Sequence, residues 1–220
     1  MTNIFDIIGP IMVGPSSSHT AGAVRLGRIA RALLGEFPVN AHIQLHGSFA
    51  RTYKGHGTDK AIIAGLLGFA PDDLRIRESL KIAKSEALDF VFEPVDLGDV
   101  HPNTALINIH GISGRHLSIL GSSVGGGKVQ IHKVNDLPAE FTAEYDTLIV
   151  YHMDTPGVIA TVTSLLARHD INIGQMKVYR SHRGGRSVIV LETDEEVREE
   201  LCQQVKALPN VTGIMSLRAV

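Results

Sequence analysis

Two clusters of serine, histidine and glycine contain the side chains of this chain best suited to chemistry. The first runs from Gly14 to Thr20 with the sequence GPSSSHT, and the second runs from His46 to Lys60. Hydroxyls and free backbone N–H groups at a helix start bind anions such as carboxylates. Imidazole titrates near neutral pH and exchanges protons readily. The clusters therefore predict a polar site that binds a small anion and moves a proton.

Each cluster lies beside a segment whose pattern predicts a regular element. Residues 18–34 have the apolar spacing of a helix, and the serines before His19 have the side chains that cap helix N-termini. Residues 41–47 alternate as a β strand does, and residues 58–68 read as a short apolar helix that Thr58 or Asp59 would cap. Both clusters are therefore expected in loops that lead into helices, where binding residues are common.

Position along the chain ranks the titratable residues of the two clusters. His56 lies between two glycines, with little bulk to pack against, and is the best candidate for a catalytic acid or base. His19 is the next candidate, and Asp59 is placed to orient a histidine. His42 is expected to be an ordinary strand histidine, whereas His46 fits a structural and a binding role equally well. Which histidine acts as the base stays open.

The remainder of the N-terminal half alternates helix and strand, which indicates an α/β domain over residues 1–134. The pattern predicts a helix at 74–88, strands at 89–96 and 104–110, and a hairpin from 115 to 134. The glycines of the hairpin segment SSVGGGK form either a flexible turn or a cradle of backbone N–H groups for a carboxylate or phosphate. Their spacing excludes a P-loop, which joins a strand to a helix.

A break in the pattern separates residues 1–134 from the C-terminal part. Residues 135–146 show no clean period, contain a proline and several acids, and are predicted to be a linker. Over residues 147–220 the pattern predicts strand, helix, strand, strand, helix and strand. This is the ferredoxin-like order β-α-β-β-α-β. The chain is therefore predicted to be an α+β protein of two domains.

The composition excludes several classes of protein. A formal net charge of −2 and evenly spread Lys and Arg argue against nucleic acid and anionic membranes as partners. No apolar run reaches the roughly 18 residues of a membrane-spanning helix, and the N-terminus lacks the basic stretch of a secretion signal. The single cysteine, Cys202, excludes an intramolecular disulfide and cannot hold an iron–sulfur cluster, which takes several thiolates. A cytoplasmic protein without a metal site of its own is expected.

Four stretches of the sequence resemble the beta chain of bacterial iron–sulfur-dependent L-serine dehydratases: GPSSSHTAGA, LHGSFARTYKGHGTDKA, HPNT and SVGGGK. Enzymes of this family deaminate L-serine to pyruvate and ammonia. The resemblance implies that a separate alpha chain, or a fused alpha domain, holds a 4Fe–4S cluster and that this chain adds polar groups to a shared site. There His56 or His19 would remove the Cα proton, and Asp59 would orient a histidine. The groups placed to bind L-serine are Ser16, Ser17, Ser18, Thr20, His46 and Ser48.

The resemblance covers both domains. Residues 1–134 resemble the allosteric-substrate-binding domain of some phosphoglycerate dehydrogenases, and residues 147–220 resemble an ACT domain. ACT modules commonly bind an amino acid across a pair of domains, so the resemblance implies homo-association. The alternative is an ACT domain that binds no ligand and only holds chains together. The implied effector site consists of Asp154, Gly157, Asn172, Ile173 and Gly174. The alternative function for the chain is a non-catalytic, amino-acid-sensing regulatory module.

Overall fold

The computed structural model describes residues 11–220, which fold into two compact units. The first unit extends to Asn135, and the second begins at Asp136. Each unit combines helices with β strands, so the protein has the α+β class that the sequence predicts. Within residues 11–220, no helix has the length and apolar character needed to cross a membrane.

The first unit places its helices on a mixed sheet. In chain order it contains a π turn at Ser17–Gly22, helix α1 at Ala23–Leu34, strand β1 at Pro38–Leu45, helices α2 at Gly47–His56 and α3 at Thr58–Leu66, a 3₁₀ helix at Leu74–Glu78, helix α4 at Ser79–Ser85, and strands β2 at Asp89–Pro94, β3 at Thr104–Gly111, β4 at His116–Gly125 and β5 at Lys128–Val134. The strands lie in the order β2-β1-β3-β4-β5. β1 pairs with β2 in parallel, and the other neighbours are antiparallel.

Helices α1 and α3 cross at two glycines, which brings their backbones into contact. A Cβ atom on Gly65 would lie 2.1 Å from the carbonyl oxygen of Val24, and one on Gly27 would lie 2.3 Å from that of Ile62. A side chain at either position would collide with backbone, so the crossing requires glycine. Helix α1 also packs on β3 and β4, whose alternate residues, such as Ile107, are fully buried. The π turn that precedes α1 is thereby held against the sheet.

Two segments of the first unit differ from the prediction. Residues 47–56, expected to be a glycine-rich loop, form helix α2, because the complete burial of Phe49 outweighs the low helix propensity of Gly47 and Gly55. Gly57, at φ 73°, ends this helix in the left-handed conformation, so His56 is its last residue. Residues 74–88, expected to be one helix, divide into the 3₁₀ helix and the shorter α4.

The second unit has the predicted order β-α-β-β-α-β, preceded by one further strand. Its elements are β6 at Leu137–Phe141, β7 at Asp146–Met153, α5 at Val158–Arg168, β8 at Ile173–Arg180, β9 at Arg186–Thr193, α6 at Glu199–Lys206 and β10 at Val211–Leu217. Strands β10, β7, β9 and β8 form an antiparallel sheet in that order. Its core contains Leu148 and Ile189 from the sheet, Val162 from α5 and Leu201 from α6.

The predicted linker at residues 135–146 contains strand β6, so it is not wholly irregular. Ala139 and Phe141 are buried, and they alternate with the exposed Pro138 and Glu140. The proline and the acidic residues conceal this alternation in the sequence. Within the second unit, β6 packs on β8 and β9.

Candidate functional site

The first serine cluster forms the start of the π turn and holds His19 in place. Ser16 caps the turn, and its Oγ accepts a hydrogen bond of 3.3 Å from the backbone N–H of His19. This is the capping role that the sequence predicts. The same Oγ lies 3.3 Å from Nδ1 of the His19 ring. Single π turns occur frequently at functional sites, because they displace side chains from the regular helical register.

The His19 ring lies between the π turn and α2, where it meets the second cluster. Its Nε2 lies 3.3 Å from Oγ of Ser48, and its ring contacts the edge of Phe49. The His56 ring stands nearly perpendicular to it, with 4.9 Å between the centroids. The structure therefore brings together two of the three predicted catalytic residues, His19 and His56, with two of the predicted substrate ligands, Ser16 and Ser48.

Burial favours the neutral form of His19. His19 is 8% exposed, and burial, followed by the nearby His56, lowers its pKa from 6.5. A neutral imidazole has one N–H group, so one ring nitrogen donates to a serine hydroxyl and the other accepts from one. His56 is exposed, and within residues 11–220 no hydrogen bond engages its ring nitrogens. His56 is thus the member of the pair with nitrogens available to a substrate.

Backbone contacts at the start of α2 fix the position of Ser48. The N–H groups of Ser48 and Phe49 both donate to the carbonyl oxygen of Pro102, at 2.7 and 3.3 Å. A Cβ atom on Gly47 would lie 2.7 Å from that same oxygen, so the helix begins in close contact with the loop that contains Pro102. These contacts set where α2 places both Ser48 and, two turns later, His56.

The other predicted residues of the first unit lie in varied surroundings. Thr20 is 2% exposed and its Oγ1 has no hydrogen-bond partner within residues 11–220, whereas Ser17 and Ser18 are half-buried. Asp59 accepts a hydrogen bond of 2.8 Å from the Lys60 N–H, and burial raises its pKa above the usual range. Within the described residues, no contact joins Asp59 to a histidine ring, so its predicted orienting role has no geometric support.

His46 lies away from the His19–His56 pair. It caps α2, and its Nδ1 accepts a hydrogen bond of 3.1 Å from the Leu97 N–H, with the Asp96 carboxylate 3.5 Å away. The ring lines a separate open cleft of 570 Å³ together with Arg51 and Pro102. His42, expected to be an ordinary strand histidine, forms an exposed ion pair with Glu93 at 2.9 Å.

Two buried polar groups near the site were not identified from the sequence. The Asn103 Oδ1 and the Ser123 Oγ are buried and have no partner within residues 11–220. The Ser123 N–H donates to the Asn103 carbonyl oxygen, and the Ser123 side chain lies directly against Gly22 of the π turn. The HPNT and SVGGGK stretches contain these residues, and those stretches were the available signal.

The predicted effector residues of the second unit do not meet within one chain. Asp154 follows the end of β7, where its Oδ2 accepts hydrogen bonds from the Gly184 N–H at 3.0 Å and from Arg180 at 3.3 Å. The Gly184 N–H, with help from Arg180, lowers the pKa of Asp154. Gly157 caps α5 at φ 94°, beside the same end of the sheet.

Asn172, Ile173 and Gly174 lie at the opposite end of that sheet. Ile173 is opposite Thr193, which is opposite Asp146 at the start of β7. The eight residues of β7 separate the two groups by about 25 Å. Asn172 instead donates from Nδ2 to Asp194 at 2.5 Å, and its N–H donates to Glu195 at 2.7 Å. Helix α6 begins at Glu199, after these contacts.

The residues present do not fit an iron–sulfur cluster. Cys202 is the only cysteine of the chain. It is buried in α6, its Sγ donates to the Val197 carbonyl oxygen at 3.6 Å, and burial raises the pKa of its thiol. A cluster needs several thiolates, and among residues 11–220 no group of three or more His, Cys, Asp and Glu side chains is arranged to hold a metal ion.

The fold and the site define the class: an α/β domain with a pair of histidines, one of them held by two serines, followed by an ACT domain. Two family models match the chain, that of the serine dehydratase beta chain over residues 3–87 and that of the ACT domain over residues 147–210.

Relatives that match over almost the whole chain identify the family. The chain is 42% identical over 215 residues to a Bacillus subtilis protein named probable L-serine dehydratase, beta chain, covering 98% of this chain and 97% of that one. It is 39% identical to the L-serine dehydratase, beta chain, of Peptoniphilus asaccharolyticus, covering 94% of each. This chain belongs to the L-serine dehydratase beta chain family. A D-3-phosphoglycerate dehydrogenase of Methanocaldococcus jannaschii is 34% identical over 100 residues, which are 46% of this chain and 19% of that one.

Proposed function

We propose that this beta chain acts with an alpha chain as an L-serine ammonia-lyase that converts L-serine to pyruvate and ammonia. The observation that carries the proposal is the contact between His19 and His56, with His19 held by Ser16 and Ser48. A module that only senses an amino acid has no need of a general base, whereas deamination must remove a proton from Cα.

His56 is the proposed base, because it is exposed and its ring nitrogens have no hydrogen-bond partner among residues 11–220, while those of His19 are held by two serines. The lowered pKa of His19 favours the uncharged form of that ring. His19 therefore adds no second positive charge beside the one that His56 gains with the substrate proton. The hydroxyls of Ser16, Ser17, Ser18, Thr20 and Ser48, together with the π-turn N–H groups, are the proposed carboxylate ligands.

The cluster that the family resemblance implies is proposed to lie on the alpha chain. One buried cysteine with a raised thiol pKa cannot supply its ligands. When bound there, the cluster would supply a Lewis-acidic iron to the shared site. This division of labour explains why the beta chain is rich in histidine and hydroxyl groups but has no set of thiolates. Both chains are proposed to be cytoplasmic.

The ACT domain is proposed to associate with a second copy and to bind an amino-acid effector there. Strand β8 is the outer strand of its sheet, and Met176 and Val178 on it are 43% and 42% exposed. An outer strand with unpaired backbone groups and exposed apolar side chains favours pairing with another chain. The opposite ends occupied by Asp154 and Asn172 suit a site completed by two chains.

Anaerobic co-expression with the alpha chain tests the proposal. The two chains together should form pyruvate from L-serine, and the beta chain alone, treated with iron and sulfide, should show neither cluster absorption nor activity. A cluster and lyase activity on the isolated beta chain would overturn the two-chain assignment. An inactive complex whose ACT unit binds amino acids would favour the regulatory alternative.

A further inference from the structure

A chain of buried hydroxyl groups crosses β3, β4 and β5 on the side of the sheet away from the π turn. Thr104 Oγ1 donates to the carbonyl oxygen of His101 at 2.5 Å, and it lies 2.7 Å from Ser122 Oγ. Ser122 Oγ in turn lies 2.8 Å from Nε2 of His132. Thr104 and Ser122 are both fully buried. Breaking this chain would leave a buried polar group unpaired.

The number of available protons fixes the direction of these hydrogen bonds. Thr104 has one hydroxyl proton, which goes to the His101 oxygen, because a carbonyl can only accept. Ser122 must therefore donate to Thr104, and its own oxygen must accept from Nε2–H of His132. All three side chains donate their hydrogen bonds in the same direction along the series, so the loss of any one of them disturbs the others.

The last acceptor in this series of hydrogen bonds is the carbonyl oxygen of His101, which belongs to the loop that positions α2. The next residue, Pro102, accepts from the N–H groups of Ser48 and Phe49, and the Thr104 carbonyl oxygen accepts from the His46 N–H at 3.0 Å. The loop thus contacts the first turn of α2 on one side and the hydroxyl chain on the other. Helix α2 contains Ser48, which contacts His19, and His56.

We propose that Thr104, Ser122 and His132 are positioning residues that hold α2 in the register at which His56 meets His19. The inference rests on the proposed function for its catalytic consequence, although the structural coupling stands without it. None of the three residues is placed in contact with substrate. They act through the loop at residues 101–103. The role requires the hydrogen bonds of their hydroxyl and imidazole groups in addition to the volume of the side chains.

A pair of Thr104 variants separates polarity from packing. Thr104→Val keeps the volume but removes the hydroxyl, whereas Thr104→Ser keeps the hydroxyl. In the isolated beta chain, T104V should raise the hydrogen-exchange rates of the Ser48 and Phe49 amides by about tenfold, the equivalent of about one lost hydrogen bond. Thr104→Ser should leave them near the wild-type rates.

The two-chain enzyme gives the second measurement. T104V should lower kcat roughly 10- to 100-fold, the effect of displacing a reacting group by about 1 Å, with KM within about twofold because no substrate contact is removed. Thr104→Ser should restore kcat. Ser187→Ala is the matched control, since Ser187 is 1% exposed and donates to the Tyr179 carbonyl oxygen in the second unit. It should change neither the α2 exchange rates nor kcat.

The outcomes separate this inference from the proposed function. If T104V exchanges and turns over like the wild type, the positioning role is wrong while the lyase assignment stands. If the wild-type complex has no lyase activity, the proposed function fails, and amide exchange alone decides the structural coupling. If T104V does not fold, Ser122→Ala breaks the chain at its centre and takes its place in both measurements.

Discussion

Replacement of His56 by alanine should abolish most turnover while leaving the fold intact. Loss of a general base lowers kcat by roughly 10²–10⁴, which is about 3–5 kcal/mol of transition-state stabilisation. The cost to folding is much smaller, because the side chain is exposed and a Cβ on either flanking glycine would meet nothing within 4 Å. Its edge contact with His19 contributes about 0.5–1.5 kcal/mol, against a typical total stability of about 5–15 kcal/mol. The variant should therefore be folded, assembled and nearly inactive.

The assay is pyruvate formation from L-serine by the reconstituted two-chain enzyme, with melting temperature and complex formation measured on the same samples. His42→Ala is the control: its ion pair with Glu93 is exposed, so its loss costs about 0–1 kcal/mol and should leave kcat unchanged. Near wild-type turnover in His56→Ala would refute the assignment of the base to His56, and His19 would be the next candidate. A parallel loss of stability and activity would instead show a structural role.

Three further predictions concern stability and assembly. The pKa of His19 is lowered from 6.5 in the folded protein, so the unfolded chain binds a proton at this residue at higher pH than the folded chain does. The free energy of unfolding should therefore decline as pH falls through 6.5. In urea titrations, His19→Gln should remove that part of the decline. Val178→Lys should shift sedimentation toward monomer. The control Ile112→Lys, at a 77% exposed position in the first unit, should not. Equal behaviour of the two variants would exclude β8 as the contact between two ACT domains. Gly65→Ala should destabilise the chain by about 1–3 kcal/mol in denaturant midpoints through backbone collision, while Gly55→Ala, which has open space, should not.

The sequence predicted the elements whose side chains follow a clear period. The second unit has clear alternation in its strands and acids at the start of its last helix, and its order of elements agrees with the prediction. Helix α2 was missed because Gly47 and Gly55 lower local helix propensity, and the burial of Phe49, which offsets that cost, occurs only in the folded chain. The local sequence pattern contains no information about a tertiary contact that forms only when the chain folds.

The candidate site shows the same limit at the level of side chains. Ser16 and His19 were identified together because their spacing is that of a helix cap, a local property. His19 contacts Ser48 and Phe49 of α2, whereas His46, at the N-cap, lines a cleft with Arg51. That difference depends on the helix and could not be known while residues 47–56 were read as a loop. For Asp154 and Asn172 the signal was present: a helix between two parallel strands returns the chain to the end where it started.

The π turn at Ser17–Gly22 makes this segment sensitive to its length as well as to its composition. Each helical residue advances the chain by about 100°, so deleting or inserting one residue before α1 would rotate every side chain upstream of it by that angle. The glycine crossing of α1 with α3 prevents the helix from turning to compensate. His19 would then lose its contacts with both Ser48 and His56, although every side chain of the site would still be present in the sequence. A change in the number of residues in this turn is therefore expected to disrupt the site even when all of its residue types are kept.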